Sequence, residues 1–149
     1  MQLHWLLKKF DDLTTTELYA VLKLRNEVFV VEQNCIYQDA DDKDLLCYHF
    51  MGWSNGMLVA YTRIIPPGPS YTLAGIGRVV ISNKYRKTGI GRELMKLSID
   101  HTFSLFDGAA IKIGAQVYLK DFYTSLGFIS CSKQYLEDGI PHIEMMLKK

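Results

Sequence analysis

The chain has little of what would settle its function on sight. Its three cysteines, Cys35, Cys47 and Cys131, are odd in number and lack C-x-x-C spacing, which excludes a disulfide framework and suits ordinary thiols in a reducing compartment. No apolar run approaches the roughly 18 residues needed to cross a bilayer. The apolar residues of Met1 to Phe10 are interrupted by Lys8 and Lys9. With no address visible, a cytoplasmic protein is expected. Charge of one sign is missing too: 17 Lys plus Arg against 16 Asp plus Glu leave a net charge of +1. No global field therefore favours nucleic acid or an anionic membrane as a partner. His4, His49 and His101 are scattered without ligand spacing, so no metal site is expected. Internal repeats and low-complexity linkers are absent.

What is present fits one domain, 1–149: 149 residues, 48% hydrophobic and 22% charged, are enough to bury a core without staples. Gln2 to Leu7 reads as a short strand. Thr14 and Glu17 have the spacing of a capping box, and Leu18, Val21, Leu22, Val28 and Phe29 recur at helical spacing, predicting a helix of about four turns before Glu32. Cys47 to Trp53 and Leu58 to Ile64 read as strands joined through Asn55-Gly56, the pair that best tolerates the positive φ angles of a tight hairpin. Pro66-Pro67-Gly68-Pro69 forces an irregular excursion before a strand over Leu73 to Ile81. A helix over Ile90 to Phe106 and a buried-looking strand, Ala109 to Gln116, make a crossover unit. A short helix, Tyr118 to Leu126, closes at Gly127, and strands near Phe128 to Lys133 and His142 to Leu147 complete a mixed sheet flanked by helices. The fold class is α/β.

The loop from Glu32 to Asp44 carries Asp39, Asp41, Asp42 and Asp44. A calcium loop counted from Asp39 wants Gly at position 44 and Glu at position 50, where the chain has Asp44 and Phe50. A solvated loop is expected instead, ahead of an acidic lip for a cationic substrate. Arg25, on an apolar helix face, is expected to pair with Glu32 or with an acidic-loop residue.

The informative stretch is Arg86-Lys87-Thr88-Gly89-Ile90-Gly91-Arg92, an R-x-x-G-x-G run between a strand and a helix start. Free amides at a helix N-terminus, glycines that let backbone approach closely, and three cations suit a pyrophosphate; a plain tight turn carries the same glycines. It is not a Walker loop, which has four residues between its glycines and a following Lys-Ser/Thr.

Two more segments share the chain with that loop: Arg78-Val79-Val80-Ile81 before it, and Phe122-Tyr123-Thr124-Ser125-Leu126-Gly127-Phe128 after the next strand. In this order the sequence resembles the GNAT superfamily of N-acetyltransferases over roughly residues 45–149. Val28 to Cys35, Tyr37-Gln38-Asp39 and Glu137 to His142 look like its ElaA-like branch, which extends the match to nearly the whole chain. The resemblance implies a largely antiparallel sheet splayed where acetyl-coenzyme A enters. It implies that Arg86, Lys87, Thr88, Gly89, Ile90, Gly91 and Arg92 hold the pyrophosphate, that Val79, Val80 and Ile81 pair with the pantetheine amides, and that Tyr123 lies near the thioester sulfur. One departure stands out. An asparagine often found seven residues before the motif tyrosine is Gln116 here, with Leu119 three further on.

The implied reaction is direct attack of a primary amine on a thioester, without a covalent enzyme intermediate, and the three cysteines match no nucleophile motif. An unperturbed amine of pKa about 10.4 must lose a proton first. His142 and Glu32 are rival bases, each with a structural alternative: a histidine satisfied by local backbone, or a solvated carboxylate. Tyr123 is the candidate acid for the leaving thiolate, or else a core tyrosine beside Phe122 and Leu126. A strand amide near Val79 is the implied oxyanion donor. The alternatives are a non-catalytic acyl-coenzyme A binding or sensing module and a nucleotide-binding regulatory domain. The acceptor is open, and a symmetric homodimer is the commonest assembly for such a chain.

Overall fold

The hairpin that Asn55-Gly56 predicts supplies the second and third strands of an eight-stranded sheet, with both turn residues at positive φ (49° and 78°). The structure, a computed structural model, describes residues 2–149. Strand β1 (His4–Lys9) leads through a single helical turn to helix α1 (Thr15–Arg25). The meander β2 (Tyr48–Ser54), β3 (Met57–Ile65) and β4 (Ala74–Ile81) follows, then α2 (Ile90–Leu105), β5 (Ala110–Gln116), α3 (Lys120–Ser125), β6 (Ile129–Ser130), β7 (Tyr135–Glu137) and β8 (Ile140–Lys148). The strand order is β1-β2-β3-β4-β5-β8-β6, with β7 also on β8. Only β4 and β5 pair in parallel, as the crossover through α2 requires.

Local chemistry explains the element ends. Thr14 Oγ1 accepts from the Glu17 amide (3.1 Å), and Glu17 Oε1 accepts from the Thr14 amide (2.9 Å), closing the capping box. Helix α3 ends in a Schellman motif: the Phe128 amide donates to Tyr123 O (3.1 Å) and the Gly127 amide to Thr124 O (3.0 Å). Helix α2 faces the sheet with Ile90, Leu94 and Met95, each side chain removed from water adding about 1.5–3 kcal/mol. Ser98 on the same face bonds Thr62 of β3 (2.7 Å), so no hydroxyl there is left unsatisfied.

The first helix differs from its expectation. Beyond Arg25 the backbone widens into a π-helical stretch, Asn26–Glu32, in which Gln33 donates to Val28 O and Cys35 to Val30 O, five residues back. The crowding of Val28, Val30 and Val31 in one turn opposes a regular α-helix, and π stretches of this kind gather at functional sites. Most other boundaries move by one or two residues, and β6 ends three residues before the expected Lys133. The first strand starts at His4 because it pairs with Tyr48 to Trp53, and Tyr135–Glu137 forms a strand that the sequence reading had not separated.

Three of the four aspartates in the acidic loop are drawn into ion pairs, while Asp42 stays exposed. Arg25, fully buried, donates from Nε to Asp39 and from Nη1 to Asp44, both at 2.7 Å. Arg63 of β3 holds Asp41 (2.7 Å) and Asp44 (3.0 Å), and Arg78 of β4 holds Asp39 (2.7 Å). Arg25 thus takes its partners from the loop and not from Glu32. Three guanidiniums inside apolar elements need three carboxylates brought to them, since an unpaired buried charge costs several kcal/mol.

Candidate active site

Strands β4 and β5 meet at only two positions, Ala74 with Ile111 and Gly75 with Lys112. Beyond them the strands part, and a cleft of about 770 Å³ opens between, reaching from Ile76–Ile81 on one wall to Ile113, Gly114 and Gln116 on the other. The β4 wall is bulged: Arg78 and Val79 together face Thr62 of β3, and Arg78 takes φ +50°. The bulge lets Arg78 reach back to Asp39 while Val79 lines the cleft. Val79, Val80 and Ile81 all line it, although Val80 also packs into the core.

At the outer end of β4 the chain turns through Lys87 (φ +62°) and Gly89 (φ +86°) into α2. Gly89 is needed there because other residues adopt that φ only with strain. No side chain caps the helix, so the first-turn amides of Ile90, Gly91 and Arg92 have no intrahelical acceptor. Of the seven residues expected at a pyrophosphate, Arg86, Lys87 and Gly91 line the cleft. Thr88 bonds Tyr85 O, the Ile90 side chain is core, and Arg92 is drawn to Ser125 at the end of α3 (2.9 Å). Those residues and Gly89 offer backbone rather than side chain. Free amides, a left-handed glycine and Lys87 at the mouth of a strand gap fit an extended ligand with a pyrophosphate at one end.

Tyr123 of α3 lines the cleft with its ring 5% exposed, packed edge-on to Phe128. Burial pushes its phenol well above the ordinary value, with Tyr118 adding to the shift, so it stays protonated across the physiological range. Its hydroxyl has no hydrogen-bond partner among the described residues and is not sealed from the cleft.

His142 lies beside Gln116 in the β5–β8 register and stacks on Tyr135 at 5.9 Å. Its Nδ1 is 2.7 Å from the Ile140 carbonyl, which only accepts, so Nδ1 carries the proton in the neutral ring. That leaves Nε2 free to take another, 3.5 Å from the Glu137 carboxylate. Gln116 exchanges 3.4 Å amide bonds with Gln33.

Glu32, at the end of the π-helical stretch, also lines the cleft, but both its oxygens are taken by Arg86. The hydrogen bonds from Arg86 hold its carboxyl below the ordinary range despite some burial. Among the described residues no cluster of three or more His, Cys, Asp or Glu side chains is placed to hold a metal, and no helix is long and apolar enough to cross a membrane.

The sequence reading anticipated an acidic-loop partner for Arg25 but missed Gln33, Tyr71, Tyr135 and the roles of Arg63 and Arg78 in the acidic loop. The available signal for the last was an arginine inside each of three apolar stretches, Arg25, Arg63 and Arg78, in a chain with four clustered aspartates.

A family model described as an acetyltransferase (GNAT) domain matches residues 15–149. The chain belongs to the GNAT acetyltransferase family. Within that family it is 43% identical over 137 residues to ElaA of Escherichia coli, which spans 91% of this chain and 90% of that protein. It is 43% identical over 148 residues to a UPF0039 protein of Schizosaccharomyces pombe, over 98% and 97% of the two chains. A solved acyl-CoA N-acyltransferase of Pseudomonas aeruginosa superposes with a TM-score of 0.93 at 42% identity, covering 98% of this chain and 99% of that one. The crystal structure of E. coli ElaA gives the same TM-score, 0.93, at 40% identity over 99% and 100%. The protein is an acyltransferase with the mixed, mostly antiparallel sheet of this family.

Proposed function

We propose that the protein moves an acetyl group from acetyl-coenzyme A to a primary amine by direct attack. The observation that carries this reading is the gap between β4 and β5: a free phenol at Tyr123, an imidazole at His142 and the uncapped amides of α2 open into one cleft. An acyl-CoA donor is supported by the 42% identical acyl-CoA N-acyltransferase. The pyrophosphate lies against the Lys87–Arg92 turn and the pantetheine arm along Val79–Ile81, with the thioester brought toward Tyr123.

His142 is the base in preference to Glu32, whose carboxyl is tied to Arg86 and weakened as a proton acceptor. The ammonium of the acceptor loses its first proton to solvent, and the neutral nitrogen attacks the thioester carbonyl carbon while Nε2 of His142 takes its next proton. Glu137 then faces an imidazolium, which it stabilises. The oxyanion is met by backbone amide at the Val79 bulge, and on collapse the C–S bond breaks with the proton of Tyr123 Oη passing to the leaving thiolate. Calorimetry with acetyl-coenzyme A, followed by thiol release against a panel of amines, tests the reading. Binding with amine-dependent release upholds it; binding without release by any amine moves the protein to a sensing role.

A further inference from the structure

Two tyrosines that the reaction above does not use meet near His142: Tyr71 lines the cleft, and Tyr135 stacks on the imidazole. The ring of Tyr71, in the segment before β4, covers Gly75 at the point where β4 and β5 last pair: a Cβ there would stand 3.4 Å from its ring. Tyr135 of β7 stacks on His142 and reaches toward β5. Their hydroxyls converge over Gly114, where a Cβ would lie 3.0 Å from the Tyr135 oxygen and 3.2 Å from the Tyr71 oxygen. Gly114 lacks the side chain that would keep them apart. Neither hydroxyl has a hydrogen-bond partner among the described residues, and neither is sealed in the core. Two converging phenols with open hydrogen-bonding capacity, beside the candidate base and at the apex of the strand gap, form a ready-made polar subsite.

The charge around this pair is mixed, and one carboxylate in it has no Lys or Arg partner. Arg25, Arg63 and Arg78 are matched by Asp39, Asp41 and Asp44, and Arg86 by Glu32. Lys112, 5.1 Å over the Tyr71 ring, is matched by Glu144 at 3.1 Å. Lys43 donates to Ser70, one residue before Tyr71, and keeps its charge. Glu137, at the cleft wall, faces only His142. After burial, Glu144 and Glu137 are among the groups that push the Tyr71 phenol further up, and they do the same at Tyr135. Glu137, with His142 as its sole partner among the described residues, favours a cation at this point.

We infer that the Tyr71–Tyr135 pair over Gly114, with Glu137, holds a second ammonium group of the acceptor, so that the enzyme selects diamines over monoamines. This rests on the acetyl-transfer reading above. The reacting nitrogen lies at His142, and the distal ammonium lies between the hydroxyls against the tyrosine rings, where charge-assisted hydrogen bonds outweigh those to water.

The experiment compares kcat/KM for 1,4-diaminobutane and n-butylamine, with acetyl-coenzyme A saturating, in the wild-type protein and in Y71F/Y135F. The expected preference for the diamine is roughly tenfold or more, carried by KM, and it falls to within about twofold in the double variant. E137Q reduces it with the acetyl-coenzyme A affinity unchanged. Equal turnover of the two amines, or a preference that survives in Y71F/Y135F, overturns the inference. So does a protein that binds acetyl-coenzyme A and acetylates neither. Loss of acetyl-coenzyme A binding in the wild type overturns the donor reading itself and is read separately by calorimetry.

Discussion

Arg86 grips Glu32 with two guanidinium nitrogens, Nη2 standing 3.0 Å from Oε1, so a cation beside the turn into α2 is neutralised by a carboxylate from the π-helical stretch after α1. On the proposed function, a pyrophosphate arriving at the Lys87–Arg92 turn would compete with Glu32 for the same guanidinium. The pair is largely exposed, and pairs of this kind contribute about 0.2–1 kcal/mol. Glu32→Gln should therefore tighten acetyl-coenzyme A binding by about two- to fivefold, and Arg86→Ala should weaken it. Isothermal titration at low and high salt measures both; an affinity indifferent to Glu32→Gln would show that Arg86 does not serve the phosphates.

The guanidinium of Arg25 is fully buried between Asp39 and Asp44, and removal of one partner strands a charge in the interior. Arg25→Ala should cost about 3–5 kcal/mol of folding stability. Lys8→Ala, which breaks the more exposed pair with Glu17, should cost under about 1 kcal/mol. Urea midpoints with unchanged slopes read the difference. Equal losses would mean that the loop network is ornamental to folding.

The sequence and the structure agree where the code is local. The capping box at Thr14, the Asn55-Gly56 turn and the glycine at the start of α2 depend on a few adjacent residues, and each formed as its chemistry dictates. The acidic loop was misread because its aspartates are satisfied by Arg25, Arg63 and Arg78, which lie 14 to 39 residues away in the chain. Sequence spacing holds no trace of such pairings. The π-helical stretch escaped for a related reason: an apolar run with helical spacing does not report whether its carbonyls accept from four or five residues on. Tyr71 and Tyr135 come together only because β7 folds onto β8 and the proline-rich excursion returns over Gly75.

Tyr123→Phe tests the leaving-group proton apart from binding. The ring contacts with Phe122 and Phe128 survive the change, so stability should move by less than about 1 kcal/mol. The rate should fall by about 10²–10⁴ through loss of the general acid, with acetyl-coenzyme A affinity within twofold of the parent. A rate within a factor of about two of the parent would return Tyr123 to a packing role.

Acid should weaken the protein through the same loop network. In Asp41, burial raises the carboxyl, but hydrogen bonds and charge from Arg63, with Arg78 and the Lys43 amide, hold it down at about 2. An unfolded aspartate titrates near about 3.9. Because the folded value is the lower one, the unfolded chain takes up the proton first. The stabilisation is complete above about pH 4 and drains away as the pH falls toward about 2. Asp44, lowered by Arg25 and Arg63 against its own desolvation, acts in the same direction. Partial exposure of Asp41 screens its share, so raising the salt should shrink the effect. Asp41→Asn should be less stable than the parent at pH 7, and the gap should close between about pH 4 and 2 as the parent loses its advantage. Urea midpoints at pH 7, 4, 3 and 2.5 follow this directly. A gap that stays constant over the series would mean that the carboxylate contributes packing and not charge.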